Sequence, residues 1–386
     1  MTGLVGIDQH DGSLVHQLCE SHRDHVDVVI LGGGPAGTST AIALARAGWS
    51  VIVIERSHYD SPRIGETLPP EVNPVLKSLG LWNQFLLDEH IQSPGVATAW
   101  GQAELYHNDF IANPHGPGWH VERCRFDTML ARAAQASGAV VLTNSTPIAC
   151  TWDPETGWHL AVVANDMVTR WRATMLVDAT GRSASRARFF CGRRMMYDRL
   201  IGLVGLMPVI SESIIDHRTL VEAIEEGWWY TALLPRGQQI AAFMTDGDLM
   251  PSGHGARDKF WWQQLQRAPY TRARLEAAAQ GIKPCVVSAT SSCLEHVVGP
   301  GRLGVGDAAM TVDPLSSQGI TWALESGLAG AKAVDAHLRG GRTALDSYAR
   351  RMKSVFLDYL DTRAEYYRRE WRWPDRPFWR RRHTAH

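Results

Sequence analysis

The chain has 386 residues, 45% of them hydrophobic, with a formal net charge of -1 and a pI near 7.0. That is ample for a real core, in one large two-part unit or in two to three domains. The near-neutral balance argues against a general nucleic-acid binder, which needs a basic domain, and no apolar run approaches the ~20 residues of a membrane-spanning helix.

In chain order, residues 1–24 are polar, with His10, His16 and His22 scattered among acids, and read as an N-terminal extension. No basic region leads into an apolar stretch, so no secretory signal is expected and the location is taken as cytoplasmic. Cys19, Cys124, Cys150, Cys191, Cys285 and Cys293 show neither CxxC nor metal-ligand spacing. Reduced, mostly buried thiols and no metal site are expected.

Asp27–Glu55 reads DVVILGGGPAGTSTAIALARAGWSVIVIE. The β-branched run Val28–Leu31 predicts a strand, and an Ala/Leu-rich helix follows to Arg46. Gly48 stops it, and Val51–Ile54 predicts a second strand ending at Glu55. Gly32, Gly34 and Gly37 stand in GxGxxG spacing, with Pro35 and Ala36 inside it. The first glycine suits a tight turn, the second a close backbone approach to a pyrophosphate, the third helix–strand packing. The helix N-terminus offers free N–H groups to phosphates, and Glu55 suits both ribose hydroxyls of an adenosine while disfavouring a 2′-phosphate. A GxGxxG alone is weak; the strand, helix and terminal acid together predict a dinucleotide site.

Further on, Arg63–Pro70 reads RIGETLPP, and its prolines start a helix through Leu79. Val121–Ala139 predicts a helix containing Arg123 and Asp127. Leu176–Gly181 (LVDATG) is a strand ending in a tight turn, and Leu303–Gly319 (LGVGDAAMTVDPLSSQG) is a short strand, a loop and the start of a helix. Between about Asp198 and Ser291 the pattern alternates as β-strands do. Trp229, Thr231 and Leu233 lie on one face of a strand, Trp228, Tyr230 and Ala232 on the other. One face is expected to line a substrate cavity and the other to pack on helices, among them the one carrying Trp261 and Trp262.

These segments together resemble the glutathione-reductase-type FAD proteins, in the branch shared by aromatic hydroxylases, flavin-dependent halogenases and geranylgeranyl reductases. The resemblance implies an α/β chain: a Rossmann-type FAD domain from residues 25–70, 115–190 and 285–343, and an antiparallel β-sheet substrate domain from 71–114 and 191–284. A C-terminal helix and Arg/Trp-rich tail over 344–386 complete it. By the same resemblance Gly32, Gly34, Pro35, Ala36, Gly37, Glu55, Ala179 and Gly306 hold FAD, Asp307 binds the ribityl chain, and Arg123 contacts the cofactor. Pro314, Gln318, Gly319 and Ile320 lie along the flavin ring, with the helix dipole favouring the anionic reduced flavin. Arg63 and Gly65 belong to a turn wrapping the reactive face, Glu66 is a base or cofactor anchor there, and Arg56 stacks on or covers the adenine. The plain structural alternatives are an N-cap for Asp307, a surface salt bridge for Arg123 and a capping role for Glu66. No second GxGxxG–strand–acid unit follows, so electrons are expected from transiently docked NAD(P)H or a separate flavin reductase, with O2 as cosubstrate.

In this branch a flavin C4a-hydroperoxide hydroxylates an aromatic ring or oxidises halide, which halogenases relay through a lysine. Ser93–Glu104 (SPGVATAWGQAE), the matching stretch, has no lysine, and the halogenase Trp-x-Trp-x-Ile-Pro motif is broken at Gly227–Pro235. Geranylgeranyl reductases carry a cysteine that Arg63–Pro70 lacks. RIGETLPP, GWWYTALLP, VDPLSSQGI and RWPDRPFWRRR together resemble the flavoproteins that build tryptophylquinone cofactors inside partner proteins. That resemblance implies a precursor of a quinoprotein oxidase or dehydrogenase as protein substrate, with Glu66, Trp229 and Tyr230 as catalytic candidates. A small-molecule indole or phenol hydroxylase or halogenase, and a non-catalytic flavin-bearing chaperone, are the rivals. Seven arginines and four aromatic residues crowd Arg368–Arg382. After a helix from about Ala344 to Trp371, this tail either docks a partner protein or folds back to pair with acids of the flavin domain; nucleic acid and membrane are not expected partners.

Overall fold

Buried β-branched runs put the His25–Leu31 strand at the centre of a parallel sheet. In the computed structural model, which describes residues 25–384 except 166, 183–192, 210–215, 276–277 and 279–280, Val51–Ile54 and Met167–Asp178 flank that strand. Val140–Leu142 and Arg302–Gly304 extend the sheet outward, all in parallel register. The expected N-terminal extension, Cys19 and Cys191 lie outside the described residues. Helices Pro35–Arg46 and Gly319–Leu338 pack against each other on this sheet. Ser39 and Thr40 donate to the Leu324 and Gly327 carbonyls, and a Cβ at Gly327 would stand 2.1 Å from the Ser39 hydroxyl. Two helix N-termini are thereby fixed side by side.

A second sheet of seven strands runs Cys285–Ser288, Leu200–Pro208, Gln238–Asp246, Gly227–Leu234, Thr219–Ile224, Gly95–Ala99, Tyr106–Asp109. It is antiparallel except where Thr219–Ile224 meets Gly95–Ala99. Both faces are covered. Trp229 packs with Phe243, Trp261 and Leu265 under the His254–Gln266 helix, while Trp228, Ala232 and Ala242 pack with Trp100, Tyr367, Phe378 and Trp379 on the other side. The short helices Val72–Ser78 and Trp82–Leu87 join the parallel-sheet core through Val72, Leu76 and Phe85, although the sequence pattern assigns them to the substrate half. Cys124, Cys150 and Cys293 are half-buried and Cys285 is exposed, so these thiols are free but not the buried set expected.

The last long helix, Ala344–Arg368, stops before Trp371. The chain then turns, because buried Glu370 accepts hydrogen bonds from the Gly101 N–H at 2.6 Å and from Arg372, and Pro374 cannot continue a helix. A final helix, Pro377–Thr384, buries Phe378, Trp379 and Arg382. The tail folds back, but not onto acids of the flavin domain. Arg382 pairs with Asp246 at 2.8 Å on the seven-stranded sheet, Arg381 with Asp248 at 2.7 Å and Arg376 with Glu225 in turns next to its strands, and Trp379 donates to the Ile224 carbonyl. Among the described residues no helix is long and apolar enough to cross a membrane.

Candidate active site

The strand end at Leu31 forces the chain to turn within one residue. Gly32 does so at φ +102°, where a Cβ would stand 2.3 Å from the Ala179 carbonyl oxygen; a Cβ on Gly37 would stand 1.9 Å from the Gly32 oxygen. Side chains are excluded at both points. At Gly34 and Gly319, which begin the two packed helices, a Cβ would meet nothing within 4 Å. Each helix therefore opens its first N–H groups onto free space, and together they form a cradle for an anionic dinucleotide. Pro35 and Ala36 form the buried first turn, and Gly306 (φ +56°) slots between the helices, where a Cβ would stand 2.6 Å from that of Ala36.

Glu55 is buried at the end of its strand. Its Oε2 accepts from the Gly33 N–H at 2.7 Å; its Oε1 accepts from the Ser57 N–H and hydroxyl at 3.0 and 2.6 Å and from Arg63 at 2.8 Å. Burial pushes its pKa up, but the Ser57 hydroxyl, the Arg63 charge and the N–H groups outweigh it and hold the acid below the ordinary carboxylate range. The carboxylate is ionised, but the chain itself occupies most of its accepting capacity. Oε2, which accepts from the Gly33 N–H, is the oxygen with accepting capacity left for a ribose. Tyr59 completes this wall, donating to the Gly33 carbonyl at 3.0 Å. Arg56 is exposed.

Arg63 spans Glu55 and Asp127, while Arg123 grips Asp127 with Nε and Nη2 and donates to the Ile64 carbonyl at 2.8 Å. The Arg123–Asp127 pair is the salt bridge of the plain reading. It is nevertheless largely buried, and it holds the RIGE turn. Gly65 in that turn has φ +107°, and a Cβ there would stand 3.1 Å from Arg123 and 3.8 Å from Ile320. The turn and the N-terminus of the Gly319–Leu338 helix thus face each other, 254 residues apart in sequence between Gly65 and Gly319. Asp307 does not cap its short helix; it pairs with Arg182 at 3.1 Å, partly exposed beside the cradle. Asp313 caps the Pro314–Ser316 turn instead, Ser317 takes a left-handed φ of +52°, and Gln318 leads into Gly319.

Glu66 lies 4% exposed beneath the seven-stranded sheet. Its Oε1 accepts from the Gly65 N–H at 2.9 Å and its Oε2 from the Tyr230 hydroxyl at 3.3 Å, which is also 2.6 Å from the Thr67 hydroxyl. Burial raises the Glu66 pKa above the ordinary range, although the hydrogen bonds and the Arg123 charge oppose it. Burial and the nearby Glu66 charge raise that of Tyr230, so the phenol stays protonated. Trp229 does not join them. Strand alternation turns it to the opposite face, fully buried, 5.0 Å from Trp261 between ring centroids. It is core, and the aromatic face toward the turn is that of Trp228 and Tyr230. Asp313, Arg363 and Tyr367, which touch the Pro314–Ser316 loop, are missing from the sequence reading. Their signal was available: an acid directly before Pro314, and a four-residue spacing on the last long helix. Among the described residues no group of three or more His, Cys, Asp or Glu gathers to hold a metal ion.

The model of a family described as an FAD binding domain matches residues 25–362. The chain is 27% identical over 371 residues to LodB of Marinomonas mediterranea, described as a putative FAD-dependent oxidoreductase, with 93% of this chain and 97% of LodB covered. It is 26% identical over 336 residues to a pyrrole-carbonyl peptidyl-carrier-protein brominase of Pseudoalteromonas luteoviolacea, covering 84% of this chain and 81% of the brominase. Among solved structures, the myxobacterial chondrochloren halogenase CndH superposes with a TM-score of 0.83 at 24% identity, over 93% of this chain and 86% of that one. The peptidyl tryptophan dihydroxylase QhpG superposes at 0.77 and 24% identity, over 93% and 78%.

Proposed function

Because the chain belongs to the FAD-binding-domain family and is an FAD-dependent oxidoreductase of its halogenase and monooxygenase branch, we propose that it hydroxylates a tryptophan side chain of a partner polypeptide during maturation of a quinone cofactor. One observation carries the choice of substrate. Over 93% of its length the chain has the shape of QhpG, a peptidyl tryptophan dihydroxylase essential for tryptophylquinone cofactor biogenesis. The absence of lysine from Ser93–Glu104 supports oxygenation over halide relay.

When bound, FAD reduced by docked NAD(P)H or a separate reductase supplies two electrons and, with O2, one oxygen atom to a ring carbon, the other leaving as water. The chain supplies the rest. The glycine turn and the Pro35–Arg46 helix N-terminus would hold the diphosphate, Glu55 would orient the ribose, and Asp307 would bind the ribityl chain. Gly65 and Gly319, which carry no side chain, would leave the turn and the helix end open to the ring, and the helix dipole would favour negative charge there. The sheet above excludes water. Glu66 is the buried group poised to take the proton that the ring carbon releases, with Tyr230 orienting its Oε2.

The test is co-expression with a quinoprotein oxidase or dehydrogenase partner, followed by the partner's intact mass and peptide mapping. A gain of oxygen at one tryptophan, lost in Asp307→Ala, is expected. An unmodified partner beside a protein whose flavin is reduced normally would overturn the protein-substrate reading. A halogenase reading is favoured by the brominase and CndH relatives; bromine incorporated into a free indole or phenol with reduced flavin would establish it.

A further inference from the structure

The Ala344–Arg368 helix lies outside the nucleotide-binding fold, yet three of its side chains, each four residues apart, converge on one acid of the flavin-facing loop. Asp313 is 1% exposed. Its N–H donates to the Tyr359 hydroxyl at 2.7 Å, and its Oδ2 accepts from the Tyr367 hydroxyl at 2.8 Å and from Arg363 at 3.3 Å. Oδ1 alone performs the capping, accepting the Leu315 N–H at 2.9 Å. The cap therefore needs only one of the two oxygens, and the helix holds the other.

The network continues in both directions. Arg363 also pairs with Asp198 at 2.8 Å, beside the start of the Leu200–Pro208 strand. The Tyr367 hydroxyl, while donating to Asp313, accepts from Trp228 Nε1 at 3.1 Å in the sheet above the loop. Leu315 packs against the same aromatic cluster. The loop itself is not self-determined, because Ser317 sits in the left-handed region without being glycine, a conformation that persists only where the surroundings impose it. A charge-assisted hydrogen bond from a buried phenol and a guanidinium is a strong and directional constraint of that kind.

We propose that Arg363 and Tyr367 are positioning residues. Through Asp313 they set the placement of the Pro314–Gln318 loop and the helix end at Gly319, and so tune the affinity and electronic environment of the flavin. Both bond to Asp313, and they act through the loop that it begins. The C-terminal segment is on this account a working part of the cofactor site, whatever the substrate.

The experiment uses the full chain with Tyr367→Phe, which keeps the ring packing and removes only the hydroxyl. Tyr348→Phe is the control: it deletes an equally buried hydroxyl of the same helix, bonded to the Gly304 carbonyl at 2.7 Å. Thermal stability, FAD dissociation constant, visible flavin bands and flavin midpoint potential are measured for each. Tyr367→Phe should weaken FAD binding about tenfold and shift the bands and potential; Tyr348→Phe should lower stability and leave all three flavin readouts at wild type. Equal stability losses with unchanged flavin readouts in both variants would overturn the proposal. Should Tyr367→Phe not fold, Arg363→Lys, which keeps the charge and loses the planar fork, decides by the same readouts, an unchanged flavin again counting against.

Discussion

The nucleotide cradle and the C-terminal tail hold the same site from opposite sides and by opposite means. The cradle works by leaving side chains out: at Gly32 and Gly37 the backbones approach to distances no Cβ allows, and at Gly34 and Gly319 the space is left open. The tail works by filling. Trp379 and Phe378 are fully buried, Tyr367 nearly so, and Arg382 lies 3.5 Å over the Phe378 ring while pairing with Asp246. A cradle built of backbone is intolerant of addition, and a roof built of large paired groups is intolerant of removal.

The largest expected effect is on the roof. Arg382→Ala leaves Asp246 buried with only the half-exposed Arg381 beside it, and should cost about 3–5 kcal/mol, read as a fall in the thermal or denaturant midpoint. Arg381→Ala, at a partly exposed pair, should cost under about 1 kcal/mol; equal losses in the two would show that burial is not what makes the tail matter.

Gly37→Ala tests the cradle. Adding one methyl against the Gly32 oxygen should cost about 1–3 kcal/mol and yield protein purified with little flavin, measured as bound FAD per chain. Retention of full flavin would mean that the turn relaxes more easily than its geometry implies.

The two buried glutamates sharpen the contrast through pH. Glu55 has a lowered pKa, so its contribution is present above the ordinary glutamate range and is lost as pH falls through the lowered value. Glu66 has a raised pKa, so the folded state binds its proton more tightly than the unfolded one. Its contribution is therefore fully present below the ordinary range and is lost as pH rises through the raised value. Glu55→Gln should flatten the acid limb of stability against pH; Glu66→Gln should flatten the decline above it and remove the corresponding limb from the turnover profile. Urea unfolding across pH reads both, and one variant changing both limbs would dissolve the distinction.

The smallest stability effect is expected at Trp371, 69% exposed near Tyr366 where the two C-terminal helices are joined. Trp371→Ala should alter stability by no more than about 0.5 kcal/mol, yet lower the rate of partner modification if this face docks the polypeptide. An unchanged rate with the natural partner would leave the tail a roof and nothing more.

Legibility followed the same division. Gly32, Gly34, Gly37 and the strand–helix–strand around them were readable because their requirement is local: a turn, a packing contact and a helix end within some thirty residues. The alternation at Trp228–Leu233 was readable as two faces, but not which face met the cofactor side, since period two says nothing about what lies above or below. Trp229 went to the core and Tyr230 to Glu66 for that reason. The arginines of the tail were visible as charges; the partners of Arg376, Arg381 and Arg382, more than a hundred residues upstream, were not.

By itself the sequence determined a dinucleotide-binding α/β chain with a β-rich second layer, because glycine spacing and hydrophobic period are properties of neighbouring residues. Only the tertiary structure decided that Asp313 answers to Arg363 and Tyr367, that Glu66 is buried against Tyr230, and that the tail closes over the sheet. Each of these depends on which distant groups share a low-dielectric interior, where a buried charge or hydroxyl must find its partner wherever the fold brings one.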